Sequence, residues 1–335
     1  MKKTFFTLLG ILMAVAIQAQ TNNPSILRYY LNDGTTIDVK ISELNQIQRI
    51  DKSGVENIFN NGQSPISVPF DEIDSIVFVY DNNINRNTDP RAWRLEYPHL
   101  KEGNNQLLVI HSTSQYGITF SLEWDCSLKS QRWTCYQFHN GLPDNNVGRV
   151  GSWQDDPNIP SAYQTHSSQY GSPYSRGHMC MSNDRQSSKE QNKQTFYISN
   201  AHPQYQNHNG GVWLTLENKV NDWGNNKSFR DTLYVVKAGT IDKSEQRLPN
   251  TSSGLVVPKY FYMAVLCVKN NQYKAIGFWT EHTNTTVKNP KPKDYAISIR
   301  ELEQRTGIDF FCNLPDDIEE TVESSYSLSD WGINN

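Results

Sequence analysis

The stretch Asp81-Asn-Asn-Ile-Asn-Arg-Asn-Thr-Asp-Pro90 constrains this chain most. Asn, Asp and Pro favour turns, and a run of them adds nothing apolar to a core. No single core can therefore pass through residues 81–91, which read as a linker between two separately folded parts. The parts differ in chemistry: all eight His and all five Cys lie after the linker.

The opening residues read as an export signal over 1–19. Lys2 and Lys3 give the positive start, Phe5 to Ile17 the apolar run, and Ala19 a small residue suited to cleavage. The run is short for a bilayer span and nothing later is long and apolar enough, so the expectation is a secreted or periplasmic protein without stable membrane insertion. Residues 20–80 then contain a repeat at an offset of 29. Ile37-x-Val39-x-Ile41-x-Glu43-Leu44 lies over Ile66-x-Val68-x-Phe70-x-Glu72-Ile73, with Ile47 over Ile76 and Ile50 over Val79. Period-two alternation followed by a short break predicts strand, tight corner, strand in each copy, and two copies make a small β-rich module. It holds no His, no Cys and no Gly-rich phosphate loop, which suits a spacer or docking module whose partner the sequence leaves open.

The net charge of −4 is unevenly placed. Residues 21–90 hold 5 Lys and Arg against 10 Asp and Glu, residues 91–314 hold 24 against 19, and residues 315–335 hold six acids and no base. Only the middle is basic, so a polyanion would meet the protein there. None of the five Cys (126, 135, 180, 267, 312) forms a C-x-x-C pair, which argues against a thiol metal or redox site. An oxidising compartment would let some of them pair, with at least one left over.

Residues 92–335 mix strand and helix patterns. β-branched and aromatic runs predict strands at 106–112, 232–237, 260–268 and 273–279. Val212, Trp213, Leu216, Val220 and Trp223 recur at helical spacing, predicting a helix from about 210, and Ile297 to Thr306 predicts another. The fold class is α+β with a mostly antiparallel sheet.

The chemistry concentrates between Tyr174 and Glu217. Arg176-Gly-His178 is followed by Phe196-Tyr-Ile-Ser-Asn200, then Pro203-Gln204, then Asn209, Trp213 and Glu217. Phosphodiester hydrolysis needs a base for the attacking water, positive charge on the phosphoryl oxygens and a proton for the leaving oxygen. A His that is neutral near pH 7 can be the base, an Asn oxygen is a hard neutral ligand for a well-hydrated Mg²⁺, and Arg176 offers bidentate pairing to phosphate. Asn209 and Glu217 are eight residues apart, within about 80° on one helix. Singly, each has a bland reading: His as a core or surface residue, Asn209 as a helix N-cap, Glu217 as a solvated helix position. Trp153, Trp213 and Trp223 could stack bases, although Trp213 and Trp223 lie on the apolar helix stripe and read as core.

In type and spacing these residues resemble the DNA/RNA non-specific endonuclease family, whose pattern is D-R-G-H, N-x-x-P-Q and N-x-x-x-W-x-x-L-E. The resemblance runs from about Trp93 to the end of the chain, where Ala296 to Gly307 looks like the family's closing helix. It implies a ββα-metal (His-Me finger) core acting on DNA and RNA. His178 would be the general base, Asn209 the ligand of Mg²⁺, with Mn²⁺ or another divalent ion able to substitute, and Glu217 the helix residue holding the metal's water. Arg176 would contact phosphate and Asn200 support the site. Arg149, ahead of Trp153 and Asp155-Asp156-Pro157, looks like the family's upstream Arg. Ser175 stands where the family usually has Asp. Two alternatives stay open: a binding protein on an inactive nuclease scaffold, and a zinc phosphoesterase using His178, His202 and His208.

Overall fold

A computed structural model describes residues 24–333, apart from 34, 51–52, 81–82, 84 and 143–146. The export signal read at 1–19 and part of the linker lie outside the described residues. The chain divides into two units, Met1–Ile84 and Asn85–Asn335.

In the first unit, β1 (Pro24–Leu31), β2 (Thr36–Lys40), β3 (Leu44–Ile50), β4 (Gly54–Phe59), β5 (Ile66–Pro69) and β6 (Ile73–Tyr80) form two three-stranded sheets, ordered β2-β1-β6 and β3-β4-β5. The repeat explains this exchange. After the 3₁₀ corner at Ile41–Glu43, β3 leaves β2 and pairs with β4; after the equivalent corner at 70–72, β6 leaves β5 and pairs with β1. Alternation turns Leu27, Tyr29 and Val39 of one copy and Val55, Phe59 and Val68 of the other into a shared core, in which the Tyr29 hydroxyl donates to Asn57 Oδ1 at 2.7 Å.

The second unit is built on β7 (Gln106–Thr113), β8 (Gly117–Asp125) and β9 (Ser130–His139), the pair of β10 (Tyr174–His178) and β11 (Ala201–Tyr205), β12 (Thr232–Gly239), a small ladder of β13 (Arg247–Leu248) and β14 (Val257–Pro258), then β15 (Tyr260–Lys269), β16 (Gln272–Glu281) and β17 (Ala296–Ile297). Its helices are α1 (Lys189–Gln194), α2 (Leu214–Asn225), α3 (Ile299–Thr306) and α4 (Asp316–Ser324). Seven strands form one antiparallel sheet in the order β17-β16-β15-β12-β9-β8-β7.

The four strands read from sequence are present and slightly longer, whereas β8 and β9 are additions. Their apolar runs are broken by Glu123, Gln131, Arg132 and Thr134, all buried and bonded within the pair: Arg132 to Glu123, Thr134 to Gln131. A polar residue satisfied inside the fold looks the same in sequence as one facing water.

Both sheet faces are covered. One packs Phe120, Trp124, Val235 and Val265 against Trp213, Leu216 and Val220 of the helical segment and against Met179. The other packs Trp133, Val236 and Tyr262 against Ile299 and Leu302 of α3 and Val322 of α4. All five thiols are unpaired and buried; Cys126, Cys180 and Cys267 belong to the first core and Cys135 to the second. Among the described residues no helix is long and apolar enough to cross a membrane.

Candidate active site

The site is built on strand, strand, helix. In the β10–β11 pair Gly177 faces His202, and a Cβ at Gly177 would lie 1.8 Å from Gln204 Oε1, so any larger residue would displace the buried Gln204 side chain. Strand alternation puts Tyr174, Arg176 and His178 on one face of β10 and Ser175 on the other. The Ser175 hydroxyl donates to the Gln204 carbonyl at 2.9 Å.

The His178 ring is half-buried and wedged between aromatics, with Trp153 at 4.4 Å and Phe196 edge-on at 5.1 Å. Its Nε2 is enclosed and has no hydrogen-bond partner. Burial, reinforced by the charges of Arg149 and Lys237, lowers its pKa to about 3, so the ring is neutral at pH 7. Asn200 lies directly behind. Its Oδ1 accepts from Cys180 N at 2.8 Å, and its Nδ2 donates to the carbonyls of Cys180 and Thr195 at 2.9 and 2.8 Å. Fully buried and fully bonded to backbone, it pins the chain two residues after His178 rather than presenting a group to a substrate.

The helical segment opens with an α turn at Gln206–His208, continues as a π turn at Asn209–Trp213 and becomes α2. A π turn absorbs one extra residue, so Asn209 and Glu217 are related like residues seven apart, about 20° rather than about 80° around the axis. The half-exposed Asn209 side chain has no hydrogen-bond partner among the described residues. Trp213 joins this segment to the strand pair: its Nε1 donates to the His178 carbonyl at 3.4 Å and also favours the Glu217 carboxylate.

Glu217 is buried, and burial raises its pKa to about 8 against the opposing pull of Lys237. Lys237, fully buried in central strand β12, has Nζ 3.7 Å from both Glu217 Oε1 and Asp184 Oδ2. Tyr136 and Asn221 donate to Asp184 at 2.5 and 2.7 Å. Neither Lys237 nor Asp184 stands out in the sequence, although a lone Lys inside Leu233-Tyr-Val-Val-Lys-Ala-Gly239 is the signal that could have marked it, since a buried ammonium requires partners.

Of the two remaining arginines, Arg149 is exposed with its guanidinium 4.6 Å from the centre of the Phe196 ring, the ring that touches His178. Arg176 donates through Nη2 to the Ser167 carbonyl at 2.8 Å, leaving Nε enclosed and unpartnered. The three-histidine zinc reading does not match this arrangement. His208 has both ring nitrogens engaged, with Gln204 Nε2 at 2.7 Å and Thr280 Oγ1 at 2.9 Å. His202, paired across from Gly177, faces away from His178, and no such cluster occurs among the described residues.

The model of the DNA/RNA non-specific endonuclease family matches residues 105–317, most of the chain. The chain belongs to that family. Among its relatives are a nuclease of Nostoc sp., 27% identical over 61% of this chain and 75% of that protein, and the mitochondrial nuclease EXOG of Xenopus laevis, 26% identical over 60% and 58%. The nuclease of Serratia marcescens is 24% identical over 61% and 77%. The chain thus spans three quarters of some family members and under two thirds of others. A crystal structure of the EndoG/EndoGI complex shares the fold, with a TM-score of 0.52 and 19% identity, covering 63% of this chain and 89% of that one. The family match begins after the first unit, so the repeat module lies outside the shared endonuclease region.

Proposed function

We propose that this protein is an exported, divalent-metal-dependent endonuclease that hydrolyses phosphodiester bonds in both DNA and RNA, with His178 as general base. The observation that carries the reading is the neutral, enclosed and unpartnered Nε2 of His178. A buried nitrogen without a partner costs stability and persists where a reacting atom is meant to meet it.

Asn209 fits a divalent ion. Its amide oxygen is hard, neutral, half-exposed and unclaimed by protein, and one protein ligand leaves Mg²⁺ its water shell. Mn²⁺ meets the same donor. The ion supplies positive charge to the phosphoryl and leaving oxygens. The rest belongs to this chain's own residues. Trp153 and Phe196 hold the imidazole plane, and Nε2 takes the proton of the attacking water. Arg149 and Arg176 offer guanidinium groups to the phosphate backbone, which every sequence and both sugars share. Glu217 sits behind Asn209 and is held by Lys237 and Trp213. Asn200 keeps the backbone after His178 from shifting. Export rests on the charged and apolar start of the chain, Lys2 to Ala19.

The test incubates purified mature protein with plasmid DNA and with total RNA in Mg²⁺, in Zn²⁺ and in EDTA, beside His178→Ala. Loss of both substrates in Mg²⁺ alone, abolished in the variant, is the expected result. Intact nucleic acid under every condition sinks the enzyme reading, and activity in Zn²⁺ alone sinks the metal assignment.

A further inference from the structure

On the sheet face opposite His178, the carboxylates of Glu303 in α3, Asp309 in the following loop, and Glu319 and Glu323 in α4 meet beside Asn85. Oxygens of Glu303, Asp309 and Glu323 all lie within 4.8 Å of one another. Asn85 Nδ2 donates to Asp309 Oδ2 at 3.0 Å and to Glu319 Oε1 at 2.8 Å, and Phe310 N donates to Glu303 Oε1 at 2.8 Å. None of the four carboxylates has an ion-pair partner among the described residues; Arg300 makes its ion pair with Glu320 instead, at 2.6 Å. Glu323 supplies a separate observation. Its side chain is 95% buried, and its Oε1 is enclosed without any partner while the carboxylate faces Glu303 and Asp309.

An enclosed carboxylate oxygen aimed at two others, with only Arg300, already ion-paired to Glu320, acting on them from a distance, is an expensive arrangement unless something positive sits between them. From this geometry we infer that Glu303, Asp309 and Glu323 form a structural site for a hard divalent cation, calcium by preference, that clamps α3 to α4. All donors are oxygens, the set Ca²⁺ and Mg²⁺ take. A set of protein carboxylates suits Ca²⁺, which takes several such oxygens in flexible geometry, better than Mg²⁺, which keeps most of its waters. Burial and mutual repulsion raise Glu303 to about 7 and Glu323 to about 9, so without a cation the cluster holds protons that a cation would displace. The site packs on the core of α3 and α4 and is independent of Asn209, which belongs to the other core's face.

The test uses the full mature chain stripped with EDTA, dialysed and titrated with CaCl₂, followed by thermal unfolding and by calorimetry in two buffers of different ionisation enthalpy. Calcium at ~100-fold excess over its Kd is expected to raise the Tm by about 5–10 °C and to release protons at pH 7. The Tm rise should persist in Asn209→Ala and disappear in Glu303→Gln and Glu323→Gln. No rise in the unaltered protein, a rise unchanged in both carboxylate variants, or binding without proton release each overturns the site. The buffer comparison needs no variant, so it holds even where a substitution prevents folding.

Discussion

The two faces of the seven-stranded sheet treat buried carboxylates in opposite ways. Beside His178, Asp184 and Glu217 share one internal ammonium, Lys237, 3.7 Å from each. Across the sheet, Glu303, Asp309, Glu319 and Glu323 form no ion pair among the described residues, and oxygens of three of them converge. The first face carries a counter-charge within the fold, which only partly offsets the burial that raises Glu217 to about 8. The second leaves its negative charge for protons or a cation to neutralise, so its stability depends on the solution.

The sharpest way to break this contrast is at the proposed base, His178. His178→Ala is expected to lower cleavage by about 10²–10⁴-fold while circular dichroism and Tm stay at or above those of the parent. A parallel loss of folding would mean that the ring acts only as core. Next in size is Lys237→Met, which leaves two buried carboxylates without their cation and should destabilise by about 3–5 kcal/mol in urea titrations at pH 8. Adding Asp184→Asn and Glu217→Gln should restore most of that; a triple variant no better than the single one would show that the three do not form a charge unit.

The pH response separates the buried histidines from the buried carboxylates by sign, Glu217 included. Burial lowers His202 and His208 to about 3 and His282 to about 4, so below about 6.5 the unfolded chain takes up protons that the folded chain refuses. Their contribution is lost as pH falls from about 6.5 toward 4. Glu303 and Glu323 do the reverse. The unfolded chain releases their protons near 4.5 while the folded chain keeps them to about 7 and about 9, so without cation stability declines as pH rises across that window. A midpoint that rises steadily from pH 5 to 9 in EDTA would contradict protonated carboxylates on the second face. The smallest expected effect is that Glu323→Gln in EDTA at pH 8.5 gains about 1 kcal/mol, the opposite direction to Lys237→Met.

Much of the architecture was legible in the residues. The 29-residue repeat in 37–79 anticipates strand–corner–strand units, and the run from Arg176 to Glu217 carries the family resemblance that the family match bears out. Less legible were β8 and β9, because the buried Arg132, Glu123, Gln131 and Thr134 break the apolar pattern while satisfying one another. The π turn at Asn209–Trp213 was equally hidden, since Gly210-Gly211 permits it without dictating it. Helical phase counted as uniform α overestimates the angle between Asn209 and Glu217.

By itself the sequence determined which residues could do chemistry and in what order they come, because types and spacings are local: a histidine after glycine on a strand, an asparagine two turns ahead of a glutamate. Tertiary structure alone decided their surroundings. It sealed Nε2 of His178 among Trp153 and Phe196, brought Lys237 from a strand 20 residues beyond Glu217 to serve two carboxylates, and gathered Glu303, Asp309 and Glu323 on the far face. Burial and the distance between charges depend on contacts remote in the chain, and these set pKa and ion affinity.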